Sequence, residues 1–145
     1  LAAAVRLEAG MREDIFGLGR RLREQGQDIA GVLGELVAHA VAAHHAQAAF
    51  HREVTALELV DPDVARLGRE REARIRRHLL EFLESLGEGV RVEDLEAAAE
   101  LVGLCVEAVS DQAVLRGSTV GEARLTAALK EMLGRYLIRD EAGQG

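Results

Sequence analysis

Cysteine, proline and aromatic side chains are nearly missing from this chain of 145 residues, which carries one cysteine, one proline, three phenylalanines, one tyrosine and no tryptophan. A single cysteine, Cys105, excludes an intramolecular disulfide, so a reducing, cytoplasmic location is expected. With few aromatics and no alternating β-branched runs, there is little material for strands. No charged-then-apolar leader opens the sequence and no uninterrupted apolar run is long enough to cross a bilayer, so no membrane part is expected. Positive charge is in the minority: the net charge is -7. Holding nucleic acid needs a clustered positive patch, which argues against DNA or RNA binding by this domain's own surface. No nucleophile is flanked by a recognisable base, no glycine-rich loop follows a strand, and Cys105 lies in an apolar arc that disfavours its thiolate. The chain is therefore read as a non-enzyme without a cofactor.

What is present is alanine, leucine, glutamate and arginine, the composition of an all-α protein. The length suits one domain with a single core. Six helices are expected. The first spans about residues 1 to 25, with Ala4, Leu7, Met11, Ile15, Leu18 and Leu22 on one face and Gly26 as its stop. Since the sequence opens directly on this helical pattern at Leu1, something is expected to precede it. Asp28 caps a second helix to about Ala46, and a third, shorter one runs to Val60. Asp61-Pro62-Asp63 opens a fourth, which reaches about Leu86. The fifth lies within Glu93 to Gly117, and Thr119 with Glu122 forms a capping box for a sixth ending near Ile138. Residues 1–140 form the domain and 141–145 a polar tail.

The fifth helix is apolar around most of its circumference. Glu96, Glu100, Glu107 and Asp111 share one narrow stripe, and the remaining arc holds more apolar surface than one core covers. The sixth also has two apolar faces, one of them narrow and rich in small residues, so a second subunit is expected against these two helices as a four-helix bundle. Leu95, Val102, Val106, Val109, Val120, Ala123, Ala127, Gly134 and Ile138 are the seam candidates, with the choice between faces left open.

Several polar residues invite chemistry. Arg71 and His78 project onto the inward face of the fourth helix; Arg71 either meets an anionic ligand group, pairs with an internal acid such as Glu35, or snorkels outward. His44 and His51 lie two helical turns apart on one side, which raises a metal site. Spacing alone does not establish one, because a di-iron bundle needs inward Glu-x-x-His pairs that this chain lacks. Glu35 with His39 suits a surface pair equally well. Gln112 either reaches a ligand, crosses the subunit seam or bonds within the fold.

Read together, LAAAV, AHHAQAAFHREV, ELVDPDVARLGREREARIRRHLLEFL, AAAELVGLCVEAVSDQAVLRG and RLTAALKEMLGRYL resemble, in this order, the C-terminal ligand-binding and dimerisation domain of TetR-family transcriptional regulators. The likeness covers nearly the whole chain and lies in helix order, since no segment is a strict motif. It implies a homodimeric repressor domain in which a small apolar or amphipathic molecule enters a pocket among the first five helices. The pocket lining expected is His44, Phe50, His51, Val54, Arg71, Ile75, His78, Phe82, Cys105 and Gln112. Binding would change the spacing of two helix-turn-helix modules that are not among these residues, so operator DNA would be reached only through an N-terminal module. The competing readings are a free-standing helical metalloprotein or small-molecule enzyme, and a partner-binding adaptor.

Overall fold

The computed structural model describes residues 17–140; the expected positions Ala4, Leu7, Met11 and Ile15, and the tail 141–145, lie outside them. Helix α1 is described over residues 17–24. Gly26, at φ 84°, stops it. The Gly26 amide donates to the Arg23 carbonyl and the Gln27 amide to that of Leu22, a Schellman ending that an L side chain at Gly26 would strain. Helix α2 (Ile29–Ala46) begins where the Asp28 carboxylate accepts from the Gly31 amide at 2.7 Å. At Gln47 the backbone turns to φ -120°, which separates α2 from α3 (Ala48–Glu58). Helix α4 (Pro62–Ser85) has Pro62 in its first turn, and the Asp61 carboxylate accepts from the Asp63 and Val64 amides.

A 3-10 turn, Gly87–Gly89, leads to α5 (Leu95–Asp111), capped by Asp94 on the Ala97 amide at 3.0 Å. The chain then winds through a π turn, Gln112–Arg116, before α6 (Glu122–Leu137). The capping box expected at Thr119 does not form. Gly121, at φ 89°, holds the cap position without a side-chain bond, while the Ser118 hydroxyl accepts from the Val120 amide. Antiparallel bridging of Val90 with Ile138 ties the end of α6 to the link between α4 and α5, with the Arg91 amide donating to Leu137 and the Arg139 amide to Gly89.

One core joins four helices: Val32, Leu33, Leu36 and Val37 of α2, Phe82 and Leu83 of α4, Ala98, Ala99 and Val102 of α5, and Leu129, Leu133 and Leu137 of α6. Helix α2 is 18 residues long with a mean hydropathy of 1.2, enough by length and composition to cross a membrane, although the sequence reading found no such run. Its apolar face is the centre of this core. Helix α3 packs on α4 so closely that a Cβ at Gly68 would collide with the Glu58 carboxylate.

The structure sorts the seam candidates into two groups. Val102 is 3% exposed and faces the protomer's own core, and Leu95, Val106, Val109 and Ile138 pack partly against it. Val120, Ala123 and Ala127 are exposed, and nothing approaches Gly134 where a Cβ would stand. The outward row of α5 is instead Ala97, Leu101, Leu104 and Ala108, all exposed and spaced by four, three and four residues, which puts them on one helix face. Met132 of α6 is also exposed, at 48%.

Candidate functional site

Between α2, α4, α5 and α6 the core does not close. A cavity of about 230 Å³ remains. Leu33, Leu36 and Val37 of α2, Ile75, Leu79 and Phe82 of α4, Val102 and Val106 of α5 and Leu133 and Leu137 of α6 give it apolar walls. Gly103 also faces it, and a Cβ there would stand 3.4 Å from Leu79. Polar groups also line it: His44, Gln47, His51, Arg71, Glu72, Arg76, Glu100 and Glu107. An apolar recess with a few convergent polar groups is the ordinary form of a small-molecule site. Its volume falls just under the roughly 300 Å³ at the low end of such sites, which favours a compact occupant.

The polar groups are densest where α2 passes into α3. His44 closes the last turns of α2, and its Nδ1 donates to the Ala40 carbonyl at 3.0 Å. A nitrogen facing a carbonyl carries the proton, so in the neutral ring Nε2 is the bare acceptor. That Nε2 points at α5, 3.7 Å from Glu107 and 3.5 Å from Asp111. His51, brought back by the turn at Gln47, sits beside His44 with ring centroids 5.1 Å apart and the rings tilted by 60°. Its Nε2 lies 3.4 Å from Glu107 and 3.2 Å from Asp111. Both imidazoles are buried, with side chains 6% and 9% exposed, whereas Glu107 and Asp111 are about one third exposed.

Electrostatics follow from this packing. A hydrogen bond with Glu107 raises the pKa of His51 above its ordinary value; burial opposes it, the Glu107 and Asp111 charges add to it, and Arg71 subtracts. Nε2 of His44 and Oδ1 of Asp111 are buried with no hydrogen-bond partner among the described residues. The 3.2 Å approach of Asp111 to His51 is thus ionic in character, without hydrogen-bond alignment.

Comparison with known proteins agrees with the helix order. The profile of the family described as "Tetracyclin repressor-like, C-terminal domain" matches residues 28–137, most of the chain. The chain belongs to this TetR-like family. No curated protein and no solved structure matches it. TetR-like C-terminal domains serve transcriptional regulators in ligand binding and dimerisation, and the all-α architecture here is that of the family.

Within this TetR-like domain the expected pocket residues separate. His44, His51, Arg71, Ile75 and Phe82 line the cavity; Phe50, Val54, His78, Cys105 and Gln112 do not. Val54 is 4% exposed outside it, and Cys105 packs partly against the core. His78 lies beside Glu81 at 3.8 Å, while its neighbour Leu79 is the residue that lines the cavity. Gln112 is exposed at the π turn and donates to the Gly117 carbonyl at 3.0 Å. The walls come from α2 to α6, whereas the first five helices had been expected; no described residue of α1 lines the cavity, and Leu133 and Leu137 of α6 do. Glu35 is 54% exposed beside His39, so it is not an internal partner for Arg71.

Glu107 and Asp111 were missed as site residues. By helical period they share one narrow stripe with Glu96 and Glu100. The available signal was two acids four residues apart on an otherwise apolar helix, together with two histidines at the join of the preceding helices.

Proposed function

We propose that this chain is the small-molecule-sensing and homodimerisation domain of a cytoplasmic TetR-like transcriptional repressor, a binding domain without catalytic activity and without a membrane part. The observation that carries the reading is the apolar cavity with clustered polar groups at the junction of α2, α4, α5 and α6. Its occupant is a compact molecule, mostly apolar, with a polar group directed toward His44, His51 and Glu107. Operator DNA is contacted by an N-terminal helix-turn-helix module outside this sequence.

A ligand changes operator affinity only by binding one dimer arrangement more tightly than another. On this reading helix α1 carries that difference. A Cβ at Gly19 would stand 3.3 Å from Leu36 and 3.4 Å from Phe82, and both of those side chains also line the cavity. An occupant that displaces Leu36 or Phe82 therefore moves the surface on which α1 rests. The exposed row Ala97, Leu101, Leu104 and Ala108 of α5, continued by Ala128 and Met132 of α6, is the seam this reading assigns to the partner subunit.

The test uses the apolar dye anilinonaphthalene sulfonate as a probe of the folded protein. Saturable enhancement at one site per protomer, abolished by Gly103→Leu, which fills the cavity against Leu79, is the expected result. In the parent regulator, a cavity ligand should also change operator affinity. A ligand that binds without changing it would remove the sensing role.

A further inference from the structure

We propose that His44, His51, Glu107 and Asp111 form a binding site for one divalent transition-metal ion of the zinc, cobalt, nickel and iron(II) class. The inference rests on this cluster and goes beyond the sensing role, which stands or falls separately.

Each of the four residues offers a donor atom, and these atoms lie within 4.8 Å of one another. The imidazole nitrogens lie 3.2 to 3.7 Å from the carboxylate oxygens that face them. Ligands about 2.0–2.2 Å from a tetrahedral ion are roughly 3.3–3.6 Å from one another, so the imidazole–carboxylate separations are close to those of coordination.

Three further observations point the same way. The Ala40 carbonyl holds the proton on His44 Nδ1 and leaves Nε2 as a lone pair aimed at two carboxylates, a ligand fixed by its own backbone partner. Among the described residues, that lone pair, on a ring 94% buried, has no hydrogen-bond donor, and neither does the buried Oδ1 of Asp111. Acceptors brought together in this way repel one another unless a cation lies among them. Finally, the donors come from three helices, with Glu107 and Asp111 one turn apart on α5 and Asp111 at the start of a π turn, a rare winding frequent at functional sites.

Ligand chemistry narrows the ion. Two imidazoles with two carboxylates suit borderline divalent cations; Cys105 is not in the cluster, so no thiolate is present to favour copper(I). Two carboxylates neutralise a dication. His44, His51 and Glu107 also line the cavity, so a bound ion borders it and offers a coordinating group of a small molecule a place to attach.

In the absence of metal, a proton on an imidazole can serve the same carboxylates, and the experiment must separate the two. Chelator-treated protein is titrated with cobalt(II) and followed by its visible d–d absorption, then with zinc(II) as competitor. The expected result is a tetrahedral or five-coordinate cobalt spectrum saturating at one ion per chain and displaced by one equivalent of zinc. His44→Gln and Asp111→Asn should each weaken cobalt binding by at least about tenfold, the scale on which metal-site partners act. Glu96→Gln, an exposed acid on the same helix, should leave it unchanged. Circular dichroism checks that each variant retains its helices. Absence of a cobalt spectrum at micromolar ion, or binding equally unaffected by all three substitutions, would overturn the site. Gly103→Leu should abolish dye binding while keeping the cobalt spectrum, so loss of one function does not imply loss of the other.

Discussion

The four acids of α5 share one stripe and meet two different environments. Glu96 is exposed, and Glu100, 58% exposed, lies 3.6 Å from Arg76, a solvated pair on the lining of the cavity. Two turns further on, Glu107 and Asp111 are about one third exposed and face two buried imidazoles. Residue type and helical phase are the same in both halves. The difference is the neighbour: α4 runs beside the first half, whereas the join of α2 and α3 crosses the second. A hydrophobic period says which residues share a face, but what that face meets is decided by helices distant in sequence.

If α5 tolerates an acid only where water or a cation is at hand, burying one on its core-facing side is the most damaging change. Val102→Asp puts a carboxylate at a 3% exposed site among Leu83, Leu133 and other apolar side chains. It should cost several kcal/mol and abolish cooperative melting by circular dichroism. A cooperative melt near the native midpoint would show that α5 is loosely packed at this position.

Removing the imidazole partner sharpens the second half. His51→Leu leaves Glu107 and Asp111 beside an apolar group, and in the metal-free protein this should lower unfolding free energy by about 1–3 kcal/mol in denaturant titration. An unchanged midpoint would mean the two acids are already satisfied by solvent.

Titration gives a smaller effect of definite sign. Because the hydrogen bond with Glu107 raises the folded-state pKa of His51 above 6.5, its contribution to stability is fully present below pH 6.5. It is lost as pH rises through the raised folded value. The metal-free protein should therefore melt at progressively lower temperature across that interval, and His51→Leu should flatten the change. A melting point that rises over the same interval in the native chain, and not in the variant, would reverse the assignment.

The smallest effect belongs to the first half of the stripe. Glu100→Gln removes one partner of an exposed pair with Arg76 and should shift stability by no more than about 1 kcal/mol. A larger loss would make the two halves alike.

Much of the fold was legible because its punctuation is local. Gly26, Asp28 and Asp61-Pro62 act on amides within three residues, and each ends or starts a helix as the sequence implies. The Thr119 capping box failed because Gly121 allows the positive φ that starts α6 two residues later. The π turn after Asp111 carries no sequence signature that periodicity detects.

The site was half legible. His44, His51 and Arg71 stood out as polar residues at or near apolar faces, and they do line the cavity. His78 and Gln112 failed the same test, since a rotation of one position along the helix turns a side chain from the cavity to its flank. The pairing of Glu107 and Asp111 with the histidines depends on a contact between positions about 60 residues apart, and on a backbone turn at Gln47 hidden in an alanine-rich passage.

The most direct single measurement is a native mass spectrum of the protein after chelation and re-equilibration with one equivalent of zinc. The account predicts a dimer in which each protomer carries one zinc ion, with the ion lost in Asp111→Asn and the dimer retained. A monomer that keeps the mass of the bare chain in the presence of zinc would contradict both the subunit seam and the metal site.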